Sequence, residues 1–156
     1  MVSKIYRNFN RILFLTLLAG VYSCTPLSCF DETEAFMKAS FYSNDTKKIL
    51  APDSLTMYGI NMDSNTLYSK SVKVQPAYLP LNPSAQSCTM IIRINGINDT
   101  LDIRYSSYPH LISKECGVAF YHNIDTISHT TNIIDYIYIS KGTITTINEE
   151  NIRIFY

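Results

Sequence analysis

The chain lacks tryptophan altogether and has only five glycines in 156 residues. Glycine this sparse excludes a Gly-rich phosphate loop, and no Gly-x-Ser-x-Gly stretch offers a nucleophile elbow. No close Cys-x-x-Cys pair occurs and no histidine falls at ligand spacing, so neither zinc nor any other metal is expected. No cofactor is implied. Long hydrophobic runs are also missing. The most apolar stretch, Ile12 to Val21, is about half the roughly 20 residues that a spanning helix needs. There is no internal repeat, and acidic residues are absent before Asp31.

The amino end reads as an export signal over residues 1–23. Lys4, Arg7 and Arg11 form a basic region and Ile12–Val21 a short apolar core, ahead of the small residue Ser23 and Cys24. The stretch VYSC resembles a lipobox, where bacterial signal peptidase II cuts before a lipidated cysteine, so Cys24 is the expected lipidation site. A buried helix that happens to contain Cys24 accounts less well for this order and for the Thr-Pro break behind it. Residues 24–34 would then be a short tether and 35–156 the domain. Residues 24–156 carry ten Lys/Arg against thirteen Asp/Glu, a net of −3. That balance argues against nucleic acid, which calls for a clustered basic surface. The membrane link would be lipid alone, each buried methylene contributing about 0.8 kcal/mol.

With Cys24 lipidated, Cys29, Cys88 and Cys116 remain in an oxidising compartment. Three thiols allow three pairings. Cys88 precedes the apolar run TMIIRI and can be buried as a thiol, which favours Cys29–Cys116. In the chain-entropy model a loop of that length stabilises the fold by about 4–5 kcal/mol.

The mature chain patterns as β. AFMKASFY puts Ala35, Met37, Ala39 and Phe41 on one face, and SLTMYGI does the same with Leu55 and Met57. SVKVQ reads as a short strand and the proline-rich PAYLPLNP as an edge. CTMIIRI and TLDIRYS form a hairpin. A loop of Asn95 to Asn98 would pair Ile92 with Leu101 and Met90 with Ile103. A two-residue Asn95-Gly96 turn is the alternative, but it sets Ile92 against Asp99. NIIDYIYIS is apolar on both faces and reads as a central strand, DTISHTTN as one helical turn, and NIRIFY as the last strand. About seven short strands at this spacing predict an antiparallel β-sandwich, immunoglobulin-like or Greek-key.

Candidates for chemistry are few. His110, His122 and His129 are scattered. A Cys116/His122 nucleophilic pair competes with the disulfide, and no two carboxylates stand out as a glycosidase pair. Asp63, Ser64 and Asn65 offer oxygens but lack the loop of a calcium hand. No catalytic residue is assigned and no enzyme is expected. Ten tyrosines follow Cys24. Tyr136 and Tyr138 share a strand face, where they either pack or form a strip for a glycan or peptide.

The order DSLTMYGI, LPLNPSAQS, INGINDTLDIRYS, ECGVAF and NIRIFY, behind a lipobox and a second cysteine, resembles a family of small Bacteroidetes envelope lipoproteins of unknown function. The resemblance implies an envelope lipoprotein and supports pairing Cys29 with Cys116, and it assigns no activity. Five of eight aspartates precede Ser or Thr. Three of these continue with an aliphatic residue, like the Asp-Ser/Thr-aliphatic sites of O-glycosylation in that phylum, and they make Ser54, Thr100 and Thr126 candidate acceptors. The plain reading is that such pairs cap turns and open strands. The expectation is a non-enzymatic accessory or interaction protein of the outer membrane, with another envelope protein as partner. The periplasmic face is favoured, because Thr25-Pro26-Leu27 stands where an acidic surface-export motif would follow Cys24. A glycan- or peptide-binding module is the alternative, and a hydrolase a remote one.

Overall fold

The structure, a computed structural model, describes residues 29–60 and 66–156. The expected signal peptide, Cys24 and the polar turn at Asp63 to Asn65 lie outside the described residues. Ten strands run in chain order: β1 (Phe36–Tyr42), β2 (Leu55–Gly59), β3 (Thr66–Ser71), β4 (Ala77–Pro80), β5 (Ser87–Ile94), β6 (Ile97–Ser113), β7 (Gly117–His129), β8 (Tyr136–Ile139), β9 (Thr143–Ile144) and β10 (Ile152–Phe155). They make a four-stranded sheet, β4-β1-β10-β8, and a six-stranded sheet, β3-β2-β5-β6-β7-β9. No helix occurs among the described residues.

Period-two alternation explains why these segments face each other as a sandwich. Met37, Ala39 and Phe41 from β1 are fully buried, as are Ile152 and Ile154 from β10 and Ala77 and Leu79 from β4. They pack into one core with Leu55, Met57, Met90, Ile92, Ile94, Leu101 and Ile103 of the other sheet. Each large aliphatic side chain so enclosed contributes about 1.5–3 kcal/mol. The all-β sandwich therefore stands, with two refinements. The described residues form ten strands rather than about seven, and β1 pairs with β10 in parallel, Ala39 opposite Ile152 and Phe41 opposite Ile154. The proline-rich segment supplies β4 at a sheet edge, as its prolines require. The Tyr78 N–H of β4 donates 2.8 Å to the Tyr68 hydroxyl.

The hairpin register differs from the expected one. Ile94 pairs with Ile97, Ile92 with Asp99 and Met90 with Leu101, so the turn is the two residues Asn95 and Gly96. Both have positive φ, 49° and 92°, as a type I′ turn demands. The objection to this register in the sequence is that it puts Asp99 on the core side. Asp99 is indeed only 1% exposed, but its carboxylate accepts bonds from the Thr130 hydroxyl and from the N–H groups of Asn132, Ile133 and Ile134. Those bonds organise the connection from β7 to β8. A buried carboxylate is tolerable when its lone pairs are met in this way.

Three other segments depart from expectation. DTISHTTN is not a helical turn: β7 runs to His129, with Ile127 paired to Ile103. NIIDYIYIS is not central. Only Tyr136–Ile139 is strand, and β8 is an edge paired with β10 alone. Its second apolar face is the outward tyrosine face. SVKVQ is not a strand beyond Ser71; the strand is β3, Thr66–Ser71. Finally, β6 and β7 form one long hairpin, paired from Leu101–His129 to Ser113–Gly117, with irregularities at Arg104/Tyr105 and Leu111/Ser113.

Candidate binding face

The outward side chains of the four-stranded sheet follow from the same alternation. On β1 these are Phe36, Lys38, Ser40 and Tyr42, interleaved with the buried Met37, Ala39 and Phe41. Tyr42 sits opposite Phe155, which sits opposite Tyr136, and Ser40 lies opposite Arg153, which lies opposite Tyr138. Tyr78 of β4 is opposite Lys38. One sheet face therefore collects a band of aromatic and cationic groups expected only in part from Tyr136 and Tyr138.

At one end of this face the rings form a stack. Phe155 lies 4.3 Å from Tyr136 at 12° and 5.2 Å from Tyr42 at 29°. The Lys47 ammonium stands 4.8 Å from the Tyr136 ring, and the Arg153 guanidinium 5.4 Å from Tyr42 and 5.9 Å from Tyr138. Phe155 is the enclosed member, whereas Tyr136 and Tyr138 are 38% and 54% exposed. Arg153 also pairs with Glu150, which accepts a 2.9 Å bond from the Tyr42 hydroxyl. Burial pushes the Glu150 carboxyl up, but the bonds from Arg153, Ser40 and Tyr42 outweigh it and leave its pKa below the ordinary value. Glu150 is thus an anion at neutral pH that fixes the Arg153 fork across the face.

At the other end lies a cavity of about 330 Å³, lined by Glu32, Glu34, Phe36, Lys38, Tyr78, Thr145, Thr146 and Asn148. Phe36 and Tyr78 meet edge to face, 6.4 Å apart at 89°. Lys38 is largely buried, and its ammonium donates to the Ile147 carbonyl and to Asn148 Oδ1. Burial lowers the Lys38 pKa, opposed by the Glu149 and Glu32 carboxylates. The residues between β9 and β10 therefore lean over the middle of the face, with the cavity on one side and the ring stack on the other.

The remaining sequence candidates do not converge. Cys29 and Cys116 are both disulfide-bonded, and Cys88 is a free, half-buried thiol. His122 is buried and its Nδ1 lies 2.8 Å from the Ser107 hydroxyl. The nearby cavity of about 360 Å³ is lined by His122 and not by Ser107, so that hydroxyl does not open onto it. No group of three metal-ligating side chains occurs among the described residues. Thr126 is exposed on β7, while Ser54 and Thr100 are half-buried. The Thr100 N–H donates to Thr130 and the Ser54 N–H to Asn95; the pair at 53–54 sits in the bend before β2 and the pair at 99–100 within β6.

Sequence reasoning missed the cavity. Outward placement of Phe36 and Lys38 was legible from the alternation of β1. Of the other walls, Tyr78 comes from β4 and Thr145, Thr146 and Asn148 from a segment more than a hundred residues downstream, with no local signal to join them.

Comparison with known proteins gives one match. Residues 54–156 fit the model of a family of unknown function, DUF6452. No curated protein matches the chain, and no solved structure does. The match takes in every described strand from β2 onward and leaves out β1, so over most of its length this chain belongs to the DUF6452 family.

Proposed function

We propose that this protein is a lipid-anchored envelope protein that acts without catalysis, presenting the outer face of its four-stranded sheet to a partner. In this reading Cys24 carries the lipid, Cys29 pairs with Cys116, and the domain sits at the periplasmic side of the outer membrane. The basic, apolar, Val-Tyr-Ser-Cys order supports the address. One observation carries the function: an exposed band of rings and cations on Tyr42, Tyr136, Tyr138, Lys47 and Arg153 exceeds what a solvated strand face needs. Aromatic residues and Arg are the types enriched at protein interfaces.

A photo-crosslinking residue placed at position 138, compared with one at position 126, tests this reading in intact cells. A discrete adduct from 138 and none from 126 is expected, together with transfer of the Cys24→Ser variant from the membrane to the soluble fraction. Equal labelling from both positions would refute the interaction face, and membrane retention of Cys24→Ser would refute the lipid anchor.

The cavity beside Phe36 and Tyr78 favours a second reading, a module that binds a small ligand such as a glycan.

A further inference from the structure

We propose that the cavity between Phe36 and Tyr78 is a binding site for a neutral saccharide, holding one or two pyranose rings. This deepens the reading of the outer sheet face as a binding surface and rests on it.

The lining decides the ligand class by elimination. Two carboxylates, Glu32 and Glu34, face one ammonium, Lys38, so a phosphate or other anion meets net repulsion. A ligand ammonium would be drawn to carboxylates and ring faces, but the cationic place over Tyr78 is already taken by Lys38, 5.5 Å from the ring. A wholly apolar ligand would strip water from carboxylates, hydroxyls and an amide without replacing their hydrogen bonds, which is costly.

A sugar ring meets both kinds of wall. Its C–H face packs on an aromatic ring, and the edge-to-face pair of Phe36 and Tyr78 makes a corner rather than a flat plate. Its hydroxyls donate to Glu32 and Glu34, and such charge-assisted bonds are the stronger kind. They also accept from the Thr145 and Thr146 hydroxyls, which line the same cavity. Lys38 is held by Ile147 and Asn148, so the floor is preorganised, which lowers the ordering cost of binding. A volume of about 330 Å³ is at the lower end of ligand pockets, which matches one or two rings rather than a long chain.

The test is saturation-transfer difference NMR on the full chain, purified from membranes in a sugar-free zwitterionic detergent. Millimolar cellobiose, maltose and lactose are the neutral probes, with glucosamine and glucuronate as charged counterparts. At least one neutral disaccharide is expected to show transfer to its ring protons. Tyr78→Ala should abolish the signal, Glu34→Gln should weaken affinity about tenfold, and Arg104→Ala, exposed on the other sheet, should leave it unchanged. Glu34 is exposed, so its variant decides the matter even if Tyr78→Ala does not fold. The inference is overturned if no neutral sugar gives transfer, if only a charged sugar does, or if the signal survives both substitutions. A silent sugar panel alongside a protein adduct from position 138 overturns this inference alone and leaves the wider reading in place.

Discussion

The two sheets share one core, and the outer face of the four-stranded sheet differs from the β5–β6 stretch of its partner beside the Asn95-Gly96 turn. Outward on the six-stranded sheet, Thr89 bonds Asp102, Arg93 bonds Asn98, and Arg104 faces Thr126. Outward on the four-stranded sheet are Tyr42, Tyr136, Tyr138, Phe36 and Tyr78 with Lys38, Lys47 and Arg153. Thr and Tyr both suit a pleated surface, so strand formation alone does not choose between them. The six-stranded sheet also exposes Tyr58, Tyr108 and Phe120, but the ring–cation contacts among the described residues all lie on the four-stranded face. That pairing of rings with cations is the physical ground for reading it as the functional side.

The comparison breaks most severely where both faces lose their common support. Asp99 belongs to β6, and its carboxylate holds the N–H groups of Ile133 and Ile134 that lead into β8. Asp99→Ala leaves those donors buried, so a loss of about 3–4 kcal/mol is expected in urea unfolding. Desolvation pushes Asp99 up, but the bonds from Thr130, Asn132, Ile134 and Ile133 prevail, and its pKa lies below the ordinary carboxylate value. A depressed folded pKa contributes stability above the unfolded value of about 3.9 and loses it as pH falls through the folded one. The gap between wild type and Asp99→Asn should accordingly narrow below about pH 3.9; a constant gap would show that the carboxylate charge is not what matters.

Next in size is Phe155→Ala. It removes the middle ring of the stack under the aromatic face, and about 3 kcal/mol of stability should go with it. The denaturant slope should stay unchanged, because the fold stays intact. Smaller still is the contrast between Arg153→Ala and Arg104→Ala. The first breaks an exposed pair with Glu150 and contacts to two rings, worth below about 1 kcal/mol; the second should be near neutral. Equal losses would erase the distinction between the faces.

Least perturbing is a probe of the polar face from beneath. Burial, with the Asp102 charge second, pushes the Cys88 thiol up to about 11. Alkylation by iodoacetamide should be slow at pH 8, accelerate towards pH 11, and shift to lower pH in Asp102→Asn. Rapid labelling at pH 8 in the native protein would contradict this.

What the sequence revealed tracks how local the determinant is. The inward sets of β1, β5 and β6 were legible because alternation is written in each strand. The hairpin turn was misread because the groups that satisfy Asp99 lie more than thirty residues further on, at Thr130 to Ile134. Two apolar faces on β8 signal burial in the ordinary case, and here the second face is the exposed tyrosine strip. The cavity gave no signal at all: Glu34 and Thr145 are neighbours only through the fold.

The bond from Tyr78 N–H to the Tyr68 hydroxyl has a consequence for assembly. Strand edges invite further strands, and a sheet open on both sides can lengthen copy after copy. Here the β4 side is stoppered by a side chain from the other sheet, and only β8 lies at the opposite margin. Edge-to-edge association through this sheet can therefore close a pair and then stops. Copies that meet through the margins of this sheet have no route to a fibre.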